Sequence, residues 1–348
     1  MNKRVTIMDI ARETNVTHTT VYKALNNKPS INENTRMRIM ETAAAMGYRA
    51  NKVAQSLVRK SMTIGIIMEG YDSEYSRDLV RGINDGLDEL FDDKIEGIFT
   101  EFEPSGNKDT TVQKIMELAG NGIDGIIFMP YAACQEYIEM IDRLNEQKIP
   151  VILVTAEIPD SRRVTAIRPN GRLVGSIGAE LLHLVHSGNK NAVFIGNKNV
   201  IHHQEIIDSF AERNSALGKK MIAVYETQDD DMIAYYCAER LFKDHPEVDG
   251  IFIGTSHSVG ICRKITEIGL KGRVAVISTD IFNELTEYIE NDTVKATIYQ
   301  NSYRQGKLAV REMFGYLTGN HNVQETIFVN PEILIKSNYR QYLYQENK

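Results

Sequence analysis

Between Thr17 and Asn26 the chain reads THTTVYKALN. Val21, Ala24 and Leu25 fall on one face of a helix over about His18 to Asn26. The other face shows His18, Thr19, Tyr22 and Lys23, side chains that donate and accept hydrogen bonds. A polar face at the start of a short helix can read base edges, provided that a tight turn delivers the helix to a DNA groove.

The flanking residues supply such a turn. Thr6 can N-cap a helix whose Ile7, Ile10 and Ala11 share a face. Asn15 tolerates the left-handed backbone needed to end it. Val16 then points back into the core, and Thr17 offers a second N-cap. A third helix starts after Asn32, is expected to bury Ile39, Met40, Ala43 and Met46, and stops at Gly47, a glycine suited to the position after a helix end. Two helices joined by a turn this short form a helix-turn-helix.

Charge supports that reading. Residues 1–60 hold eleven Lys and Arg against four Asp and Glu, a surplus of seven, within a chain of net charge −7. The remainder therefore carries −14, so a basic head meets polyanions while an acidic body is repelled by them. With 42% apolar and 25% charged residues over 348 positions, the composition suits a small head plus a large globular body. No apolar run approaches the roughly 18 residues of a membrane span. The N-terminal MNKRVTIMDIARE turns polar before a secretory core can form, so a cytoplasmic location is expected. Cys134, Cys237 and Cys262 have neither metal spacing nor an even count, and neither zinc nor a disulfide framework is expected.

VTIMDIARETNVTHTTVYKALNN, INENTRMRIMETAAAMGYRAN and KVAQSLVRK together resemble the head and hinge of the lactose-repressor (LacI) family, without a gap over residues 4–60. The resemblance implies that His18, Thr19 and Lys23 meet bases in the major groove, where Lys23 can donate to guanine O6 and N7. It places Thr20 and Asn26 on phosphates, which set register without reading sequence. In the hinge, Asn51 to Arg59, it implies folding on operator DNA and a minor-groove wedge, for which Leu57, spaced i, i+3 from Ala54, is the candidate. Ala50 stands where the family commonly has proline, so the hinge is expected to be less sharply set off from the third helix. The candidate DNA-binding set is Thr6, Thr17, His18, Thr19, Thr20, Tyr22, Lys23, Asn26, Asn51, Ala54 and Leu57, with capping the preferred role of Thr17.

From Met62 the sequence alternates short apolar runs with helical stretches. Strands are expected at Thr63–Met68, Gly97–Phe102, Gly125–Met129, Val151–Thr155, Ala192–Ile195, Met221–Tyr225, Gly250–Ile253 and Val274–Ser278. Helices are expected between them, for example Ser76–Leu90, Arg172–His186 and Ile206–Leu217. Such alternation means doubly wound α/β layers, and a division near Ile167–Asn170 suggests two lobes with a cleft between them. GIDGIIFMP, IPVILVT and NGRLVGSIGAELLHLVHSGNKNAVFIG also resemble the effector-binding half of the LacI family, which shares the two-lobed fold of periplasmic sugar-binding proteins. The expected organisation is a helix-turn-helix head over 1–50, a hinge over 51–61, and a two-lobed effector-binding and dimerisation domain over 62–348.

Ligands in open parallel sheets sit beyond the carboxyl ends of the strands. That rule nominates Tyr71, Asp72, Tyr75, Tyr131, Arg168, His203, Ser256, His257, Asp280 and Gln300, with Glu157 beside them. The cleft also departs from the family. Ile206 stands where many members have an arginine, and Gly254-Thr255 replaces a common Asn-Asp pair, while Asp280 is retained. Losing a cation and a carboxylate removes two strong anchors for polyhydroxyl or charged ligands. Arg168, His202, His203, Gln204 and His257 are the residues placed to compensate.

The implied function is a sequence-specific transcription regulator, a repressor in expectation. Its partners would be pseudo-palindromic double-stranded operator DNA, a small-molecule effector such as a sugar or sugar derivative, and a second copy of the chain. A cleft that no longer senses a sugar is the alternative. A pure solute-binding protein would have no such head. An enzyme is not expected, since no nucleophile-base pair, phosphate-cradling loop or metal motif occurs. No cofactor is expected, and two adjacent histidines, His202 and His203, are too few for a metal.

Overall fold

The computed structural model describes residues 5–25, 29–48, 60–69, 73–102 and 108–343, and the chain divides into two compact units, 1–60 and 61–348.

In the first unit α1 spans Ile7–Thr14, α2 His18–Leu25 and α3 Glu33–Ala45. Thr6 opens α1 with a capping box: its N–H donates to Asp9 Oδ2 at 2.9 Å, and the Asp9 N–H donates to Thr6 Oγ1 at 3.3 Å. Asn15 ends the helix at φ 51°. Thr17 caps α2, accepting from the Thr20 N–H at 3.2 Å. Ile10, Ala11, Val21, Ala24, Ile39 and Ala43 make the core, with Val16 packed against it. Met40 does not join them; it is 49% exposed, and Met46 is half-buried. The stripe of α3 that meets two short helices is narrow. Ile39 and Ala43, one turn apart, fill it, and Met40, about 100° round from Ile39, falls on the solvent side.

The second unit begins with β1 (Met62–Glu69), α4 (Glu74–Glu89), β2 (Ile95–Phe102), α5 (Lys108–Gly120), β3 (Gly125–Met129), α6 (Gln135–Glu146), β4 (Val151–Val154) and β5 (Thr165–Pro169). It continues with α7 (Gly171–Val185), β6 (Lys190–Ile195), α8 (Ile201–Ala216), β7 (Lys220–Glu226), α9 (Asp231–Asp244), β8 (Gly250–Ile253), α10 (Val259–Glu267), β9 (Ala275–Thr279), α11 (Thr286–Glu290) and β10 (Val294–Tyr299). The last elements are α12 (Ser302–Leu317), β11 (Thr326–Val329) and β12 (Glu332–Leu334).

Two six-stranded sheets result, in the orders β11-β5-β4-β3-β1-β2 and β12-β10-β9-β8-β6-β7. All pairs are parallel except β10 with β12. Ile64, Ile66 and Ile67 of β1 are fully buried, as a strand covered on both faces requires. Each such side chain contributes about 1.5–3 kcal/mol of burial.

The eight expected strands are present, but β5, β10, β11 and β12 were not foreseen. β5 contains an arginine and a proline, and β12 is only three residues long, so neither carries a periodic apolar signal. The chain does leave the first sheet after β5, near the expected division. It then crosses twice more: α12 and β11 return to the first lobe, and β12 ends in the second. Ala309, Val310 and Met313 of α12 pack with Leu79 and Ile83 of α4. Asp78 of α4 fixes the second crossing. It accepts from the Tyr299 hydroxyl at 2.6 Å, the Ser302 hydroxyl at 2.8 Å and the Tyr303 N–H at 3.1 Å.

Candidate functional site

On α2 the residues expected to read bases are solvent-facing. His18 and Thr19 are exposed, Tyr22 is 47% exposed, and Lys23 is half-buried. Thr20 is turned to its neighbour, its hydroxyl 2.9 Å from that of Thr17. Arg38 Nη2 donates to the Thr14 carbonyl at 3.0 Å, which ties α3 to the end of α1 and holds the turn before α2. Asn26, Asn51, Ala54 and Leu57 lie outside the described residues.

In the second unit a cavity of about 820 Å³, counted with its open mouth, lies between the two sheets at the carboxyl ends of the strands. Tyr75, Tyr131, His203, Ser256, His257, Asp280 and Gln300 all line it. Tyr71 and Asp72 lie outside the described residues. Arg168 and Glu157 do not line it. The Arg168 guanidinium is committed to Glu205 of α8, with Nη1 at 2.7 Å and Nη2 at 2.9 Å, and lies 3.9 Å from Glu157. A bidentate pair of this kind leaves no cation for a ligand. It joins β5 of one lobe to α8 of the other. Gln204 points away as well, bonding Asp208 on its own helix at 3.3 Å.

Sequence reasoning missed two cavity acids. Glu69 ends β1 and is fully buried; it accepts from the Tyr137 hydroxyl at 2.7 Å and the Tyr131 N–H at 3.1 Å, and pairs with Lys108. Asp229 follows β7 and accepts from the Tyr131 hydroxyl at 3.2 Å and the Thr255 hydroxyl at 2.8 Å. Gly196 makes room for it, since a Cβ there would stand 2.2 Å from Asp229 Oδ1. Both acids occupy the strand-end position that the carboxyl-end rule names. The apolar run of β1 and the acidic turn Asp229-Asp230-Asp231 hid them.

The centre of the second lobe's wall is a chain of hydrogen bonds. Gln300 donates its backbone N–H to Asp280 Oδ1 at 3.0 Å and its amide Nε2–H to Asp280 Oδ2 at 2.8 Å. Its Oε1 then faces His202 Nε2 at 2.6 Å. Burial pushes the Asp280 carboxyl up to about 7, aided by the charge of Asp78, although the Gln300 donors oppose the shift. Burial likewise pulls His202 down to about 3, and neighbouring His203 and Arg168 work the same way, so the imidazole is neutral. His257 goes in the other direction. Burial by itself would lower its pKa, but the bond to Asp231 and the charges of Asp229 and Asp230 outweigh it and raise the value.

Backbone strain collects on the same rim. Thr155, Asp229, Asp280 and Asn301 have φ of 69°, 53°, 60° and 56°, a region that L-residues rarely enter. For β-branched Thr155, which lines the cavity, this is a true outlier of the sort that concentrates at functional sites. Among the described residues no group of three or more His, Cys, Asp or Glu is arranged to hold a metal ion, and no helix is long and apolar enough to cross a membrane.

Two family models match the chain. One, the periplasmic binding protein domain, covers residues 64–321, and the other, bacterial regulatory proteins of the lacI family, covers residues 6–51. Catabolite control protein A of Priestia megaterium is 26% identical over 272 residues, covering 76% of this chain and 79% of its own length. The HTH-type transcriptional regulator RegA of Clostridium saccharobutylicum is 27% identical over 263 residues, 74% of this chain and 71% of its own. A probable HTH-type transcriptional repressor, ExuR of Bacillus subtilis, is 32% identical over 196 residues, and the match spans 54% of that relative. Among solved structures, GanP, a glucose-galactose binding protein from Geobacillus stearothermophilus, superposes with a TM-score of 0.72 at 20% identity over 80% of this chain and 99% of its own. A solute binding protein from Burkholderia graminis in complex with D-arabinose gives 0.75 at 19% identity over 82% of this chain and 99% of its own. At such identities the likeness speaks for the fold alone.

Proposed function

Because the chain belongs to the lacI family of bacterial regulatory proteins, DNA-binding transcription regulators rather than enzymes, with a periplasmic binding protein domain as its body, we propose that it represses transcription as a cytoplasmic homodimer whose grip on a pseudo-palindromic operator is set by a small molecule in the cleft. The observation that carries the DNA half is the solvent-facing row His18, Thr19 and Tyr22 on α2, with Lys23 beside it, in a head with seven surplus positive charges. His18, Thr19 and Lys23 meet bases; Thr20 and Asn26 meet phosphates; Leu57 wedges the minor groove from the hinge, with Asn51 and Ala54 beside it.

A dimer supplies two heads for two half-sites, because one head offers too little area and charge for tight binding. Its support on the body is exposed apolar surface: Ile98 and Phe99 on edge strand β2, and Met232, Ile233 and Tyr236 on α9. The effector half rests on Tyr75, Tyr131, His203, Ser256, His257, Asp280 and Gln300 converging on one cavity. A ligand bridging both walls changes lobe closure, and closure changes the order of the hinge. A cleft that no longer senses a sugar is the second reading, favoured by fully buried Ile206 at the family's arginine position.

The test is selection of binding sites by the full chain from random DNA, with sedimentation to measure its mass. Recovery of two related half-sites by a dimer is the expected result. A monomer that selects no sequence overturns the proposal.

A further inference from the structure

We propose that the cleft takes a small hydroxylated amine, bound in its ammonium form, of which an amino sugar is the type, and that it rejects anionic ligands. The inference rests on reading the cleft as the effector site, and it specifies the charge of what enters.

Glu69, Asp229 and Asp280 line the cavity, and among its described lining residues there is no lysine or arginine. In the second unit, residues 70–72 and 103–107 lie outside the description; they read Gly-Tyr-Asp and Glu-Pro-Ser-Gly-Asn and contain no Lys or Arg. The three acids are compensated unequally. Glu69 has Lys108 as a counter-charge. Asp229 receives the hydroxyls of Tyr131 and Thr255, and Asp280 the amide donors of Gln300, all neutral groups. Among the described residues no cation pairs with either one. Of the nearby cations, Arg168 holds Glu205, and His257 pairs with Asp231, its Nδ1 at 3.8 Å, while Asp229 acts on it only through its charge.

His202 is 8% exposed and lines the same wall. Because the Gln300 amide nitrogen is spent on Asp280, its Oε1 must accept, so His202 Nε2 carries the proton. Nδ1 is then a bare acceptor, buried and without a partner. That nitrogen lies against the start of α7, where a Cβ on Gly171 would stand 2.8 Å from it.

A neutral hexose would bring hydroxyl dipoles to this wall but no counter-charge for two carboxyls in a low-dielectric cleft. An ammonium supplies charge and donors together, and the Tyr75 and Tyr131 rings add aromatic surface that favours a cation. Burial first, and then the charge of Asp78, raise the pKa of Asp280. An ammonium beside it stabilises the carboxylate, so binding near pH 7 releases a proton. A uronate or a sugar phosphate meets the reverse field.

The test is isothermal titration and thermal shift of the full chain with D-glucosamine, D-galactosamine and D-mannosamine. Their parent hexoses, their N-acetyl forms, D-glucuronate and D-glucose 6-phosphate serve as comparisons. The expected result is binding of at least one amine, about tenfold or more tighter than its neutral counterparts, with proton release read from two buffers of different ionisation enthalpy. Asp229→Asn and Asp280→Asn, each shown to be folded by circular dichroism, are expected to weaken binding of the amine more than that of its parent hexose. Equal or tighter binding of a hexose or an acid overturns the charge assignment while leaving the cleft as the effector site. Absence of binding by all three amines overturns it too, and the neutral and acidic sugars then report whether the cleft binds any sugar.

Discussion

Tyr131, on the turn after β3, donates its hydroxyl to Asp229 Oδ2 at 3.2 Å and so links the first lobe to the second across the mouth of the cleft. The two residues are 98 positions apart in sequence, and the link is made by the same side chains that line the cavity. Any ligand that takes the Asp229 carboxylate must compete with the tyrosine or be bridged by it.

Tyr131→Phe removes that donor and keeps the ring. Asp229 retains the Thr255 hydroxyl, so the expected loss of stability is small, about 0.5–1.5 kcal/mol by urea unfolding. The radius of gyration of the ligand-free chain is expected to increase in small-angle scattering, because one tie between the lobes is gone. An unchanged radius would show that the other ties hold the lobes alone.

Arg168 is a stronger tie. Its side chain is 7% exposed, Glu157 is 8% and Glu205 is 23%. Arg168→Met strands Glu205, while Glu157 keeps Arg163 at 2.8 Å, with an expected cost of about 3 kcal/mol in denaturant unfolding. Arg168→Lys keeps the charge without the fork and is expected to fall between. A Met variant as stable as wild type would mean that water reaches the Glu205 carboxylate.

Lys23→Ala is expected to relax base preference at one position in each half-site and to cost about 1–3 kcal/mol of DNA affinity. The selected-site profile measures it, and an unchanged profile removes Lys23 from the reading set. Across salt concentrations the wild-type affinity is expected to fall linearly in log–log form, since the basic head releases counterions from phosphates.

Asp280 gives stability a pH dependence of known sign. Its pKa rises on folding from 3.8 to about 7, so the native state binds the extra proton between those values. The contribution is fully present below the unfolded pKa and is lost as pH rises through about 7. It amounts to at most about 4 kcal/mol. His202 opposes it: its pKa falls from 6.5 to about 3, and its contribution is lost as pH drops below 6.5. The stability of wild type relative to Asp280→Asn is therefore expected to decrease from about pH 5 to about pH 8 in urea titrations. A pH-independent difference would mean that Asp280 is ionised throughout.

The head was legible residue by residue because its signals are local. Thr6, Asn15 and Thr17 act within one turn of themselves, and among the described residues of the head only Met40, whose fate depends on how narrow a stripe the other helices cover, was misplaced. In the body, the strand-end rule found Tyr131, His203, His257, Asp280 and Gln300. It misjudged Arg168, which points at an acid 37 residues away on another element. It also passed over Glu69 and Asp229, strand-end acids on opposite walls of the cavity that the apolar run of β1 and the acidic turn after β7 hid.

The sequence by itself determined the helix-turn-helix head and the α/β alternation, since caps, periodicity and residue identity need no distant partner. The tertiary structure decided which charges remain free in the cleft. Whether Arg168 is a ligand anchor or a strut, and whether Asp280 is an ion or an acid, depends on burial and on partners far away in the chain. Desolvation and Coulomb energies are set by those three-dimensional surroundings, and no spacing along the chain encodes them.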